Sequence, residues 1–300
     1  AEESVRRVIE VLKDGAFEYP LDNGSVICVS ITVDRGNRRA RIDFTGTSAQ
    51  DKGNYNSPVA VCKAAVLYVF RTLVDDEIPL NEGCLKPLEL VLPEKSMINP
   101  DYPAAVIAGN TEVSQAITNA LYGALGVLAA SQGTMNNFIY GTDRFQNYET
   151  ICGGTGAGPD HPGTSAVQSH MTNTRMTDPE VLETRYPVRI EEFSIRRGSG
   201  GAGRFNGGDG VVRKISFLEP MTVTTLSSHR RVPPFGLFGG WPGSCGKDHV
   251  LHGDGSVTSL KGNDEIAVVA GDRFVMETPG GGGFGEPPAD RKPDRKLDRN

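Results

Sequence analysis

Glycine is distributed unevenly along this chain of 300 residues, and this limits the folds open to it. Eleven of the 37 glycines lie in residues 1–150 and 26 lie in residues 151–300. Glycine weakens helices and is tolerated in tight turns and at close backbone approaches. The sequence therefore predicts that helices are concentrated in the first half and that short strands build the second.

Three helices and a β-hairpin are predicted in the first half. An opening helix, with apolar residues at 5, 8, 9 and 12, is predicted to end at Asp14-Gly15. Residues 59–74 are apolar on nearly every side, which indicates a buried helix. A third helix is predicted to begin with Asn110 as its cap, with Glu112 near its positive end and an apolar face at helical spacing behind it. Alternating residues at 26–33 and 39–44 flank turn residues and predict the hairpin.

The second half contains short apolar runs, each bounded by glycine or proline. They lie at residues 188–195, 211–217, 221–226, 249–251, 266–269 and 274–277. Short strands of this kind favour an antiparallel barrel or sandwich. One short helix is predicted to begin near Pro179, with Thr177 or Asp178 as its cap. The predicted fold class is α+β: a helix-containing N-terminal half followed by a glycine-rich, mainly antiparallel β half.

The same change in composition predicts the domain organisation. Residues 1–150 form a mixed α/β part, and residues 151–286 form a glycine-rich β part of the same region. Residues 287–300 repeat Asp, Arg and Lys with proline and have no apolar face, so we expect a disordered tail.

Charge, hydropathy and cysteine content exclude several classes of protein. A net charge of -6 with both signs interspersed provides no basic surface for nucleic acid. The longest mainly apolar stretch, at 119–130, is well below the ~20 residues that span a bilayer. Five widely spaced cysteines without a C-x-x-C pair signal neither a disulfide framework nor a zinc site. A cytoplasmic protein with no nucleic-acid or membrane partner is predicted.

Three glycine-rich runs, at 153–158, 198–203 and 280–285, are candidate anion sites. A nest of backbone amides in such a run could bind an anion. No run stands between a strand and a helix N-terminus with the residues of a phosphate-binding loop. The alternative, which we favour, is that the runs are tight turns between strands.

The densest group of polar residues surrounds His170. The imidazole of His170 can exchange a proton near neutral pH, the amide of Asn173 can pair with a substrate amide, and Arg175 can clamp a carboxylate. Asp160 and His161 lie just upstream. The alternative is purely structural: a hydrogen-bonded histidine, and an arginine paired with a nearby carboxylate.

No metal site or nucleophile is predicted. His161 and His170 are nine residues apart, and His249 and His252 flank a predicted turn, so neither pair has the spacing of a helical metal site. Cys152 precedes two glycines, but a cysteine between a strand and a loop is more often a small buried hydrophobe.

Nine distinctive motifs lie along the chain, and the match that they carry spans roughly residues 17–285. They are DFTGTS (43–48), GNYNSP (53–58), IPLNEGCLKP (78–87), SQGTMNN (131–137), YETICGGTGAGP (148–159), HMTNTRMTDPEVLETRYPV (170–188), RRGSGGAGRFNGGDG (196–210), PFGLFGG (234–240) and TPGGGGFG (278–285). In these residues and in this order the chain resembles the C-terminal part of the hydantoinase B/oxoprolinase family, in its 5-oxoprolinase branch.

The resemblance implies ATP-dependent hydrolysis of a cyclic amide, 5-oxo-L-proline to L-glutamate, within glutathione metabolism. In the family, phosphorylation of the lactam oxygen makes the amide carbon open to attack by water. The resemblance also implies that ATP and Mg²⁺ are bound by a hydantoinase A-like portion, as a fused domain or a separate subunit, and not by this chain. This segment alone is then expected to be inactive, and the enzyme to be a homo-oligomer. The metal of ketone-carboxylating relatives, held by His and Asp, would lie upstream.

The resemblance further implies the site residues. The catalytic residues are expected to be His170 for proton transfer, Asn173 for the ring amide and Arg175 for the carboxylate. The substrate-binding residues are expected to be Gly153, Gly154, Gly156, Asp160 and His161. Two alternatives remain at this stage: a hydantoinase or acetone carboxylase-like subunit acting on another carbonyl, and a non-catalytic scaffold that only docks the ATPase portion.

Overall fold

The computed structural model describes residues 1–289, so most of the predicted tail at 287–300 lies outside the described residues. Among residues 1–289 no helix is both long and apolar enough to cross a bilayer. The helices are α1 (Glu2–Val11), α2 (Val59–Thr72), α3 (Ser114–Leu125) and α4 (Pro179–Arg185), with a 3₁₀ turn at Glu82–Cys84 and a π-helical turn at Gly109–Val113.

The first sheet contains the predicted hairpin and is covered by α3, which packs in turn against α2. Its order is β1-β2-β3-β4, antiparallel except for the parallel pairing of β3 with β4. The strands are β1 (Gly15–Pro20), β2 (Val26–Asp34), β3 (Arg39–Asp43) and β4 (Leu88–Val91). Apolar side chains of the sheet, α1, α2 and α3 form one buried cluster, which fixes α3 across the sheet.

Two antiparallel sheets follow, in the orders β12-β9-β5-β6 and β11-β10-β13-β8-β7. Their strands are β5 (Asn137–Gly141), β6 (Gln146–Thr150), β7 (Val188–Ile195), β8 (Val211–Phe217), β9 (Met221–Leu226), β10 (Lys247–Leu251), β11 (Val257–Leu260), β12 (Asn263–Val268) and β13 (Arg273–Glu277). The α+β class with mainly antiparallel sheets is confirmed. The exposed strand β11 was not predicted, because it has no buried face to produce an apolar alternation.

These two sheets pack face to face around aromatic rings. Phe138 of β5 stacks on Phe274 of β13 with ring centroids 4.4 Å apart. Beside them a buried ion pair joins Arg213 of β8 to Glu149 of β6 at 2.9 Å. The interior between the sheets therefore combines aromatic packing with one charge pair removed from water.

Apart from a turn at Gly198, whose φ is 80°, the glycine-rich runs are not the tight turns that we predicted, and they form no open cradle. Segments 153–158, 199–210, 234–243 and 279–285, here called the glycine bundle, lie side by side as extended backbone. Gly281 N donates to Gly208 O at 2.9 Å, and Gly283 N donates to Trp241 O at 2.9 Å. A Cβ placed on Gly281 would lie 1.8 Å from Thr155 O. The runs are glycine because neighbouring backbones occupy the volume that side chains would fill.

The predicted N-terminal cap is wrong for α3 and correct for α4. Asn110 does not cap α3; it lies inside the π-helical turn that precedes it. Gly109 is packed there so closely that a Cβ would lie 2.3 Å from Asn56 O. For α4, Asp178 is the cap, and its side chain accepts a hydrogen bond from Glu180 N at 3.0 Å.

Candidate functional site

The inner face of α3 and of the turn before it carries polar residues that are completely buried. Glu112, Gln115 and Asn119 follow one another at helical spacing of three and four, and none has exposed surface. Asn119 is fully engaged, since its amide exchanges hydrogen bonds with the backbone of Ser131. Buried polar side chains are retained at a cost, so this row indicates either a structural network or a site.

Glu112 is the most unusual member of the row. Its Oε1 accepts hydrogen bonds from Met135 N at 3.1 Å and from Asn137 Nδ2 at 2.9 Å. Its Oε2 is buried without a hydrogen-bond partner. Burial raises the pKa of Glu112, and the nearby hydroxyls of Thr134 and Ser228 only partly oppose that rise. A carboxyl group in this setting tends to hold its proton. The π-helical turn that carries it is a local irregularity often found at functional sites.

His170 packs against the other end of α3. Its ring lies between Tyr68 and Tyr122, with centroid separations of 5.8 and 5.2 Å, and its Nδ1 lies 3.3 Å from the Tyr68 hydroxyl. The backbone is left-handed there, with φ of 54°. Burial lowers the pKa of His170 to about 4, so the imidazole is neutral at physiological pH. Its Nε2 is buried and has no partner.

Hydrogen bonds hold the segment around His170 between α3 and the end of β6. Gln115 Nε2 donates to Ser169 O at 2.9 Å, and Gln168 Nε2 donates to Thr150 O at 3.0 Å. The hydroxyls of Thr150 and Thr174 are also hydrogen-bonded. The predicted catalytic segment is therefore fixed to two separate elements, which positions any side chain that it presents.

Asn173 and Arg175 extend from this fixed segment into solvent. Both residues are exposed. Within residues 1–289, neither side chain makes a hydrogen bond or an ion pair. The expected alternative, an arginine paired with a carboxylate, is not what the structure contains. Both groups remain available to a ligand.

The predicted substrate-binding glycines lie in the glycine bundle with their amides already in use. Gly153 N donates to Val167 O, Gly154 N to Pro279 O, and Gly156 N to Ser131 Oγ at 3.1 Å. All three glycines are buried. They support the chain at 163–168, which leads to His170, but they offer no free N–H to an anion.

Asp160 and His161 lie on an exposed loop at the edge of the bundle. His161 Nδ1 lies 3.0 Å from Pro162 O, and its Nε2 lies 4.0 Å from Asp160 Oδ1. The ring of His161 covers Gly158, where a Cβ would lie 2.5 Å from Nε2. Within the described part of the chain, neither side chain makes a hydrogen bond or an ion pair with His170.

Four buried polar atoms without partners are concentrated on one wall. They are Glu112 Oε2, Gln115 Oε1, Ser169 Oγ and His170 Nε2, and these four residues are here called the α3 wall. A buried polar atom left unpaired costs about 1–3 kcal/mol, so four such atoms, in two stretches of chain that the Gln115–Ser169 hydrogen bond joins, call for a functional explanation. Sequence reasoning missed Glu112 and Gln115, although the polar residues 112, 115 and 119 fall on one helical face at spacings of three and four.

Other features offer weaker sites. No group of three or more His, Cys, Asp or Glu side chains within residues 1–289 is arranged to hold a metal ion. Cys152 is buried, and burial raises the pKa of its thiol, which makes it a poor nucleophile. A groove of about 850 Å³ lies beside α1 and β3, far in sequence from the α3 wall. Its Arg6 and Arg41 are already paired with carboxylates of Glu2 and Glu89.

Comparison with known proteins identifies the family and shows that this chain matches only part of each longer relative. A profile of the family described as Hydantoinase B/oxoprolinase matches residues 1–287. The chain is 46% identical over 266 residues to 5-oxoprolinase of Dictyostelium discoideum, covering 89% of this chain and 21% of that protein. It is 48% identical over 265 residues to 5-oxoprolinase 1 of Arabidopsis thaliana, covering 88% and 21%. The chain spans about one fifth of the length of these curated relatives.

Two solved structures share the fold. ATP-dependent caprolactamase of Pseudomonas jessenii superposes with a TM-score of 0.79 at 23% identity, covering 96% of this chain and 55% of that one. Nucleotide-free acetone carboxylase superposes with a TM-score of 0.84 at 18% identity, covering 97% and 48%. In both structures the shared fold occupies about half of a longer polypeptide.

Proposed function

This chain belongs to the hydantoinase B/oxoprolinase family, and from that premise we propose that it is the C-terminal B-type segment of an ATP-dependent cyclic-amide hydrolase that opens 5-oxo-L-proline to L-glutamate. The observation that carries the proposal is the 46–48% identity to 5-oxoprolinases across nearly the whole chain.

The chemistry proposed is activation of an unreactive amide. The hydantoinase A-like portion of the enzyme binds ATP and Mg²⁺ and transfers the γ-phosphoryl group to the lactam oxygen. Water then adds to the activated ring carbon, and the ring C–N bond breaks with a proton passing to the ring nitrogen, which leaves γ-glutamyl phosphate. A second water hydrolyses this acyl phosphate to glutamate and inorganic phosphate. The B-type segment supplies the substrate pocket, so this segment alone does not turn over.

Each predicted side chain takes a role that its surroundings support. Arg175, unpaired and exposed, clamps the substrate carboxylate through two parallel N–H bonds. Asn173, also exposed, pairs with the ring amide. His170 is assigned to proton transfer: burial lowers its pKa to about 4, which leaves Nε2 unprotonated at physiological pH but also makes the buried imidazole a weak base. In the present chain Nε2 is out of contact with solvent, so the step requires a local opening that substrate binding provides.

The experiment is oxoproline-dependent phosphate release by the complete enzyme. Arg175→Ala and Asn173→Ala each lower kcat/KM for 5-oxoproline by at least about tenfold, because a charged or paired hydrogen bond to substrate is lost. Arg189→Ala, which removes an exposed arginine on β7, is the matched control. Wild-type kcat/KM in Arg175→Ala and His170→Ala would refute the site assignment.

The substrate assignment has its own test, because related enzymes activate other carbonyls. The alternative functions are a hydantoinase or acetone carboxylase-like subunit, and a non-catalytic scaffold. Measuring the activity of the assembled enzyme on 5-oxoproline, hydantoins and ketones distinguishes a 5-oxoprolinase from a hydantoinase or an acetone carboxylase-like enzyme. The scaffold is supported only if replacement of all three side chains leaves turnover intact. We further propose a cytoplasmic homo-oligomer that acts in glutathione metabolism.

A further inference from the structure

An apolar loop stands exposed on the surface beside the start of α3. Tyr102 is 98% exposed, Ile107 is 67% exposed and Val106 is 38% exposed, all within six residues. Single exposed apolar residues are ordinary, but a contiguous group of large ones marks an interaction surface. Residues 102–107 carry no charge.

The backbone of this loop is held in place while its side chains face outward. Asp101 N donates to Gln50 Oε1 at 2.8 Å, and Ala108 N donates to Asn54 O at 3.1 Å. Between them, the side chain of Asn56 donates to Ala105 O at 2.9 Å. Asn56 is completely buried. A fixed backbone that presents apolar side chains loses little conformational entropy when a partner covers them.

The loop also adjoins the candidate site. Ile107 is two residues before the π-helical turn at Gly109–Val113, which carries Glu112. The tight packing of Gly109 against Asn56 fixes the loop and the turn to the same support. A partner seated on the loop would therefore lie next to the outer end of the α3 wall.

We propose that residues 101–108 are the docking surface for the remaining portion of the B-type polypeptide, the part that the longer relatives carry in addition to this fold. Both solved structures contain about as much polypeptide again beyond the region that superposes on this chain. That additional portion must pack on some face of the shared fold. An uncharged, pre-formed apolar loop suits a protein surface of similar character and offers nothing to a nucleotide phosphate. The proposal rests on family membership and fold, and it stands whichever lactam is the substrate.

The experiment is site-specific photocrosslinking in the assembled enzyme. A benzophenone amino acid replaces Tyr102, the enzyme is irradiated, and mass spectrometry identifies the attached peptide. A crosslink to the remaining B-type portion is the expected result. A crosslink to the ATPase portion, a crosslink to the same loop of a second copy, or labelling by solvent alone would each overturn the proposal.

A second variant tests the loop itself. Ile107→Asp places a charge in the proposed interface, and the crosslinking yield from position 102 falls at least about tenfold, as expected when a central apolar contact is lost. Leu80→Asp is the matched control, because Leu80 is similarly exposed, at 62%, on a different part of the surface. Equal yields in the two variants would overturn the proposal.

Two further points distinguish a loss of docking from a loss of folding and from failure of the proposed function. Ile107→Asp leaves the unfolding midpoint of the present chain unchanged, because residue 107 is exposed here. A loss of midpoint equal to that of a buried substitution would mean that the loop is structural, and the docking proposal would fail. Neither readout uses turnover of 5-oxoproline, so failure of the proposed function and failure of this inference are distinguishable.

Discussion

The glycine bundle and the α3 wall lie in the same chain but are packed on opposite principles. In the bundle, backbone touches backbone, and amides such as Gly281 N are consumed by neighbouring carbonyls such as Gly208 O. In the α3 wall, side chains fill the space and four of their polar atoms have no partner. The contrast shows where ligand chemistry can reside. A region whose amides bond mainly to neighbouring carbonyls supports the fold, whereas a region with unpaired polar side-chain atoms has groups that can bind a ligand.

The largest effect is expected from adding one methyl group to the bundle. In Gly281→Ala the new Cβ would lie 1.8 Å from Thr155 O, and a backbone carbonyl cannot move aside as a flexible side chain can. We expect loss of at least about 4 kcal/mol of unfolding free energy, or failure to fold, measured by urea denaturation. Gly253→Ala is the control, since a Cβ there meets nothing within 4 Å. If the two variants are equally stable, the bundle is not packed as described.

The second-largest effect is expected from removing the buried carboxyl group of Glu112 in the α3 wall. Glu112→Ala removes the acceptor of Met135 N and Asn137 Nδ2, leaving both buried donors unpaired, and we expect a loss of about 2–3 kcal/mol in urea denaturation. Glu112→Gln keeps an acceptor at that place and serves as the control. It should be at least as stable as the wild type at neutral pH.

The pH dependence of the unfolding free energy, compared between the wild type and Glu112→Gln, gives an independent test of the burial of Glu112. Because burial raises the pKa of Glu112, the folded state binds more protons than the unfolded state above pH 4.5. Its contribution to stability is full below that pH and is lost as pH rises through the folded pKa. The difference in unfolding free energy, Glu112→Gln minus wild type, should therefore grow as pH rises. A flat difference would mean that Glu112 is not desolvated.

His170 should show the opposite slope. Burial lowers the pKa of His170 to about 4, so between pH 6.5 and about 4 the unfolded state binds more protons and stability falls as pH falls. We expect His170→Asn, whose asparagine tolerates the left-handed backbone, to reduce this fall between pH 6.5 and 4 by about 2–3 kcal/mol, measured by urea denaturation across that range. His161→Asn removes an exposed imidazole and is the control. Identical pH profiles for wild type and His170→Asn would contradict the burial of this ring.

The smallest effect comes from a glycine outside the bundle. A Cβ on Gly123 of α3 would lie 2.8 Å from the ring of Phe17, but a ring can rotate and alanine favours helix by about 1 kcal/mol over glycine. Gly123→Ala should change the unfolding free energy by less than about 1 kcal/mol. If it were as damaging as Gly281→Ala, the distinction between backbone and side-chain packing would fail.

Local signals account for the elements that the sequence predicted well. The hairpin of β2 and β3, the buried helix α2 and the cap of α4 at Asp178 all depend on residues within a few positions of one another. Propensity, periodicity and capping act over that range. The expected α+β class followed from the same signals.

The features that escaped prediction depend on contacts distant in sequence. The glycine runs looked like turns because a glycine carries no side chain from which its neighbours could be inferred, and the partners of Gly154 lie near residues 208 and 281. Glu112 was interpreted only by its position near a helix start. Its burial depends on Met135 and Asn137, which helical periodicity cannot reveal. The roles of His170, Asn173 and Arg175 remain predictions.

The position of residues 279–285 within the bundle has a consequence for synthesis. This stretch lies among segments that leave the ribosome much earlier, and Gly154, Gly201 and Gly207 all contact it. The earlier segments bond to one another, as Trp241 N does to Ala202 O, but each also bonds to residues 279–285, so the bundle is incomplete until that stretch has been made. A nonsense codon shortly before residue 279 would therefore release a chain with most of its strands but without the piece that closes it, a product suited to degradation.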